Sequence, residues 1–185
     1  PPGLSFNAIS NKALEAYKNS KMPKSYFDWG QMLENNKSGF YPYTPATNLF
    51  YGLNEAINML LEEGLDNVFA RHKRLADATR LTVEAWGLEI LAKNPIERSD
   101  SITAIMVPDG HDSDNLRKII YDNYNMSLGT GLNKVKSKVF RIGHLGDLND
   151  LSLMGALAGV EMGLKQSGIP YKSGGIMAAI NFLSS

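Results

Sequence analysis

The stretch LGTGLNKVKSKVFRIGHLG, residues 128–146, joins a glycine-rich segment to a short apolar run. The run at 139–142 is typical of a β-strand, because branched and aromatic residues follow one another there. The glycine-rich segment fits neither G-x-x-x-x-G-K-[ST] nor G-x-G-x-x-G, the two common phosphate-binding patterns. We therefore predict a turn between strands at 129–134 and not a nucleotide-binding loop.

Arg141 lies inside this predicted strand with apolar neighbours on both sides. A buried guanidinium without a partner is costly, so the position requires an anion. One candidate is an Asp or Glu of the same chain. The other is an amino-acid or oxo-acid substrate, whose carboxylate a planar guanidinium can hold through two parallel hydrogen bonds. The spacing alone leaves both open and favours the internal salt bridge.

The chain around this stretch predicts a small α/β layer. Apolar runs at 88–91 and 102–107 predict two more strands, and a helix carrying Leu116 and Ile120 follows His111. A final long helix is expected from about 149 to 166. This order suits a sheet with helices on one face. His144 has no serine or carboxylate at triad-like spacing, so we interpret it as a structural residue.

The first half of the chain predicts helices separated by an aromatic loop. Residues 2–9 alternate as a short strand would, and Ser10 then caps a helix. Residues 21–43 are too irregular for a long element. Apolar positions then recur at helical spacing from 46 to 63, where Gly64 supplies the stop.

A longer helix follows, with Asp66 as the candidate cap, and runs to Gly87. His72 lies on its apolar side, and we interpret it as a core histidine. We place a domain boundary after Gly87. Residues 1–87 then form one part of the chain, and residues 88–185 form a small C-terminal α/β domain.

The segment Tyr41-Pro42-Tyr43-Thr44-Pro45 precedes the helix at 46–63. Thr44 is placed to be the N-cap and Pro45 the first helical residue. A helix start flanked by hydroxyl groups can bind phosphate, because its free N–H groups and the positive end of its dipole point the same way. Most such starts only cap a helix, and the residues alone favour that simpler interpretation.

Composition excludes several classes of function. Lys+Arg and Asp+Glu number 19 each, which gives no basic surface for nucleic acid or an anionic membrane. Without cysteine there is no disulfide or thiolate metal site, and the three histidines lack ligand spacing, so we expect no metal. No apolar run is long enough to span a bilayer, and we expect a cytoplasmic protein. The chain begins Pro1-Pro2-Gly3, and we expect it to start inside a longer polypeptide.

Together these segments resemble the C-terminal half of the fold-type I, class V aminotransferases, and most closely those that use glyoxylate with serine or alanine. The resemblance is colinear and covers nearly the whole chain. The segments that carry it are 41–45, 62–67, 70–72, 85–88, 128–134 and 138–146. It implies that 1–87 is the end of a large pyridoxal-phosphate-binding domain, with an interface loop and two long helices.

The resemblance also implies a homodimeric enzyme that uses pyridoxal 5′-phosphate. It would move an amino group from serine (or alanine) to glyoxylate and give glycine and hydroxypyruvate (or pyruvate). The family arginine at the position of Arg141 binds the substrate α-carboxylate. The residues matching Tyr41 and Thr44 contact the phosphate of the neighbouring subunit's cofactor.

The main departure from the family is that two cofactor-binding residues have no counterpart in this chain. The Schiff-base lysine and the aspartate that pairs with the pyridine nitrogen lie upstream in the family, and Lys12 and Lys18 match no cofactor position. We therefore expect no catalytic residue in this chain, no activity of the chain alone, and an upstream N-terminal part that completes the enzyme. A cysteine desulfurase of the same fold is disfavoured by the lack of cysteine. A non-catalytic ligand-binding or dimerisation module at 89–185 stays an alternative.

Overall fold

The structure, a computed structural model, describes residues 3–185. Within them the chain forms two compact units, one ending at Glu63 and the other comprising Gly64–Ser185. The helix that precedes Gly87 therefore groups with the second unit. The predicted domain boundary after Gly87 refers to the complete fold of a longer protein and stays a prediction.

The first unit contains three helices: α1 (Asn11–Asn19), α2 (Trp29–Asn36) and α3 (Thr47–Glu63). Ser10 caps α1 as predicted, with its side chain accepting a hydrogen bond from the Ala13 N–H at 3.3 Å. The predicted strand at 2–9 is wrong for residues 3–9, which form no strand. Pro2 lies outside the described residues. Alternation over so few residues does not make a strand without a partner to pair with.

Helix α2 lies inside the aromatic segment 21–43, which we predicted to be too irregular for a long element. Asp28 caps it by accepting hydrogen bonds from the N–H groups of Gly30 and Gln31. The same carboxylate accepts a 2.5 Å hydrogen bond from the Tyr17 hydroxyl of α1. This hydrogen bond is the main reason that the pKa of Asp28 lies below its ordinary value. Asp28 thus connects the first two helices.

No side chain of residues 3–63 is buried. Helix α3 has the predicted apolar periodicity, yet Tyr51 is 80% exposed and Leu61 is 66% exposed. Phe27, before α2, is 81% exposed. Several large apolar side chains exposed to this degree are typical of an interaction surface, since single soluble domains seldom expose extensive apolar surface.

The second unit contains four helices and a four-stranded sheet. Its helices are α4 (Leu65–Ala85), α5 (Ser113–Tyr124), α6 (Asp150–Ser167) and α7 (Ile176–Leu183). Its strands are β1 (Glu89–Ile90), β2 (Ile102–Met106), β3 (Gly129–Thr130) and β4 (Val139–Gly143), and short 3₁₀ helices lie at Pro95–Glu97 and Asn133–Val135.

The helices and strands of this unit largely follow the predicted pattern. Gly64, at φ 83°, occupies the N-cap position of α4, so the predicted cap at Asp66 is wrong and Asp66 lies in the first turn. Gly129 and Thr130 form an edge strand where the sequence predicted only a turn. Helix α6 is not the last element, because α7 follows it. None of the described helices has the length and apolar character needed to cross a membrane.

The sheet is antiparallel throughout, with the order β1-β2-β4-β3. Alternate residues point to opposite faces. On one face Ile105, Phe140 and Ile142 are buried and belong to the same core cluster as Leu116 of α5 and Leu153 of α6. The helices of this unit therefore cover one face of the sheet, as predicted. The other face stays partly exposed.

Candidate functional site

Arg141 occupies the middle of β4, on the face of the sheet that the helices leave open. It pairs with Ala104 of β2 on one side and with Gly129 of β3 on the other. Directly paired residues in an antiparallel sheet point to the same face, so Ala104, Met106 and Arg141 share this face. All three are partly exposed, in contrast to Phe140. The alternation thus directs Arg141 away from the core.

The side chain of Arg141 has no partner among the described residues. It forms no ion pair or hydrogen bond with them, and its Nε is buried without an acceptor. The two Nη nitrogens are not buried in this way, so they retain accessible surface. Of the two anions that the sequence left open, the internal Asp or Glu is thus not found in residues 3–185. A guanidinium with accessible N–H groups and no internal anion is suited to an external carboxylate.

The two histidines of this unit that the sequence singled out are structural, as interpreted. The His144 side chain is fully buried, with its Nε2 2.9 Å from Thr103 Oγ1 and its Nδ1 3.0 Å from the Asp100 carbonyl oxygen. Burial lowers the pKa of His144, which keeps the ring neutral. The His72 ring lies between the Val68 carbonyl oxygen and the Gly146 N–H, which donates to Nε2. Both rings are therefore satisfied within the unit.

Tyr41 and Thr44 lie together in the first unit, beside an open cavity of about 600 Å³. The cavity is lined by Gly39, Phe40, Tyr41, Pro42, Tyr43, Thr44, Pro45, Thr47 and Phe50. The Tyr41 ring stacks on Phe50 with centroids 5.5 Å apart. The hydroxyl groups of Tyr41 and Thr44 form no hydrogen bond with any residue in the described range, and both residues are exposed. Two free hydroxyl groups beside an open cavity can donate hydrogen bonds to an anion.

The position of Thr44 differs from the prediction in one respect. Helix α3 begins at Thr47, so Thr44 is not its N-cap and Pro45 is not its first residue. Instead the Thr47 N–H donates to the Pro45 carbonyl oxygen at 2.9 Å, in a tight turn before the helix. The Thr44 hydroxyl is consequently not used for capping. The simpler interpretation, that Thr44 only caps a helix, is thereby removed.

The predicted site residues divide between the two units. Tyr41 and Thr44 share the cavity of the first unit, and Arg141 lies on the sheet of the second. The roles assigned to them by resemblance stay predictions.

Sequence patterns did not reveal the cluster around Asp114, whose carboxylate accepts hydrogen bonds from Arg117, Thr130 and Ser137. Only the Arg117 pairing has a helical spacing that could have indicated it.

Comparison with solved structures gives the class of the fold. The pyridoxamine-pyruvate aminotransferase from Mesorhizobium loti matches with a TM-score of 0.85 and 29% identity, over 95% of this chain and 46% of that one. The mixed α/β arrangement described above is therefore part of a fold-type I aminotransferase fold, as the sequence predicted. No protein-family model matches the chain.

Curated relatives give the family. The serine–glyoxylate aminotransferase of Arabidopsis thaliana is 51% identical over 99% of this chain. That of Methylorubrum extorquens (strain AM1) is 48% identical over 99% of the chain. The matches cover 46% and 47% of those proteins, so the chain spans about half the length of the relatives it matches. It belongs to the class V aminotransferases and corresponds to their C-terminal part.

Proposed function

We propose that this chain is the substrate-binding C-terminal part of a pyridoxal-phosphate-dependent aminotransferase. The complete enzyme would move an amino group from serine, or from alanine, to glyoxylate, giving glycine and hydroxypyruvate or pyruvate. The observation that carries the proposal is the Arg141 guanidinium, which has accessible Nη groups and no acidic partner among residues 3–185. The names of the relatives at 48–51% identity support serine and glyoxylate as substrates.

Arg141 would hold each substrate by its α-carboxylate through parallel hydrogen bonds. Donor and acceptor both carry this group, so one guanidinium serves both halves of the reaction. Its contribution is orientation: it fixes the substrate so that the bond to be broken at the α-carbon is correctly aligned. Arg141 itself transfers no proton, because its guanidinium stays charged at all physiological pH values.

The hydroxyl groups of Tyr41 and Thr44 fit a phosphate ligand. Both residues are exposed, their hydroxyl groups lack partners among the described residues, and both line the same open cavity. They would hold the phosphate of the cofactor of the neighbouring subunit. When bound, pyridoxal phosphate supplies the electron sink that stabilises negative charge at the substrate α-carbon.

We propose two protein partners: an N-terminal part that carries the cofactor lysine, and a second copy of the same enzyme. The first is supported by the coverage of only 46–47% of the relatives. Both are supported by the apolar surface of the first unit, where Phe27 and Tyr51 are 81% and 80% exposed and no side chain of residues 3–63 is buried. Burial of such surface is a major driving force of association.

The test is to assemble the chain with its N-terminal part and purify the complex. We expect a complex that retains pyridoxal phosphate, visible by its absorbance. It should form more than one equivalent of hydroxypyruvate from serine only when glyoxylate is present to take up the amino group. Replacing serine by alanine determines the donor preference. A folded complex that binds no cofactor would contradict the proposal and would favour a non-catalytic ligand-binding or dimerisation module.

A further inference from the structure

The Arg141 side chain lies against the backbone of Gly129 in the edge strand β3. A Cβ atom at position 129 would come within 3.0 Å of both Cβ and Nε of Arg141, and within 3.4 Å of Cζ. The space that a side chain at 129 would fill is thus occupied by the guanidinium stem. A larger residue at 129 would therefore require the Arg141 side chain or the paired strand backbones to shift by a few tenths of an ångström.

Strand β3 is only two residues long, and its pairing with β4 is supplemented by side chains of α5. Thr130 Oγ1 donates to Asp114 Oδ1 at 2.9 Å, and Ser137 Oγ donates to Asp114 Oδ2 at 2.8 Å. Arg117 donates from Nη1 to Asp114 at 2.9 Å and from Nε to the Leu128 carbonyl oxygen at 2.8 Å. These contacts fasten β3 and the segment before β4 to the first turns of α5. A short edge strand is otherwise prone to fray.

The pKa of Asp114 agrees with its connecting β3 to α5 as a charged hydrogen-bond acceptor. Hydrogen bonds from Ser137 and Thr130, followed by the Arg117 interaction, lower the pKa of Asp114 below its ordinary value. The carboxylate therefore stays charged at neutral pH and accepts hydrogen bonds on both oxygens. Charged acceptors form stronger hydrogen bonds than neutral ones.

We infer that β3 positions Arg141 for substrate binding: Gly129 leaves the space in which the guanidinium lies, and the Thr130–Asp114 hydrogen bond holds the strand at that distance. Gly129, Thr130 and Asp114 are positioning residues, since they act on the substrate only through Arg141. This inference rests on the proposed function, in which Arg141 binds the substrate carboxylate.

The test compares Gly129→Ala with Gly143→Ala in the complete, cofactor-loaded enzyme. Gly143 lies in β4 two residues from Arg141, and a Cβ there would meet no atom within 4 Å. For Gly129→Ala we expect KM for serine to rise about tenfold or more with a smaller change in kcat, because a misdirected guanidinium loses bidentate contact. Binding of glycolate, which has the carboxylate but exchanges no amino group, should weaken in parallel. Gly143→Ala should resemble the parent in both measurements.

A second pair of variants covers the case in which Gly129→Ala does not fold. Thr130→Val keeps the branched shape but removes the hydroxyl, and Thr130→Ser keeps the hydroxyl. We expect Thr130→Val to raise KM and weaken glycolate binding, and Thr130→Ser to retain parental values.

The inference is overturned if Gly129→Ala binds glycolate like the parent, if Gly143→Ala weakens binding equally, or if Thr130→Val and Thr130→Ser behave alike. Glycolate binding by Arg141→Lys distinguishes a failure of the positioning role from a failure of the proposed function. If Arg141→Lys weakens glycolate binding and the β3 variants do not, the proposed function stands and the positioning role falls. If Arg141→Lys also has no effect, the proposed role of Arg141 falls as well.

Discussion

The Glu161 carboxylate of α6 accepts a 2.8 Å hydrogen bond from the indole Nε1 of Trp86, a side chain with no exposed surface. The same carboxylate accepts hydrogen bonds from the backbone N–H groups of Gly174 and, at 3.0 Å, Ile176. Burial would raise the pKa of Glu161, and these hydrogen bonds outweigh it, so its pKa lies below the ordinary value. One side chain thus joins the end of α4, α6 and the start of α7.

Glu161→Ala should lower the free energy of unfolding by about 1–3 kcal/mol, because it leaves the buried indole N–H without an acceptor. Urea denaturation followed by circular dichroism would measure the loss. Glu89→Ala is the control, since Glu89 forms only an exposed ion pair with Lys93 and should change stability by less than about 1 kcal/mol. Equal losses in the two variants would contradict the assigned role of Glu161.

Arg141→Lys should raise KM for the amino acid about tenfold or more in the complete enzyme, equivalent to about 1.4 kcal/mol of lost binding. Lysine keeps the charge but lacks the planar fork that holds a carboxylate at two points. Steady-state kinetics would give KM, and absorbance would check that the cofactor is retained. Unchanged kinetics would exclude Arg141 from the substrate site.

Tyr41→Phe and Thr44→Ala should each weaken retention of pyridoxal phosphate. A hydrogen bond to a charged phosphate contributes about 1.5 kcal/mol or more, so the dissociation constant should rise about tenfold. Tyr41→Phe leaves the ring that stacks on Phe50 in place and removes only the hydroxyl group. Tyr51→Phe removes a hydroxyl group on α3 from a residue that does not line the cavity, and it should dissociate cofactor like the parent. If the parent and all three variants release the cofactor equally, Tyr41 and Thr44 do not form a phosphate site.

We expect the free energy of unfolding to decrease in mild acid because of the buried His144. Burial lowers its pKa in the folded state below the value of 6.5 expected in the unfolded chain. As the pH decreases through 6.5, the unfolded state binds the proton first, so the free energy of unfolding declines from there down to the folded pKa. Above 6.5 both states are neutral and the residue adds no pH dependence.

Denaturation at a series of pH values would test this dependence on His144. His144→Gln cannot take up the proton, and it should show a flatter slope of stability against pH below 6.5, whatever its absolute stability. A His144→Gln slope equal to that of the parent would refute the assignment.

The local patterns in the sequence determined most of the elements. Helical spacing of apolar residues and a terminal glycine predicted α3, and the apolar run around Phe140 predicted β4. These elements are predictable because their signals lie within a few residues. Helix α2 was missed since its aromatic and glycine residues do not repeat at helical spacing. Its cap is nevertheless a local signal, because Asp28 accepts hydrogen bonds from Gly30 and Gln31 within three residues.

The amino-acid sequence was sufficient to predict that Arg141 lies in a strand and needs an anion, because a guanidinium buried among apolar residues is costly without one. The three-dimensional contacts were needed to show that no described Asp or Glu pairs with Arg141, and that Gly129 borders its side chain. Both facts depend on residues that are distant in sequence and are brought together by strand pairing. Such contacts produce no periodic pattern in the sequence, so they can be recognised only in the folded structure.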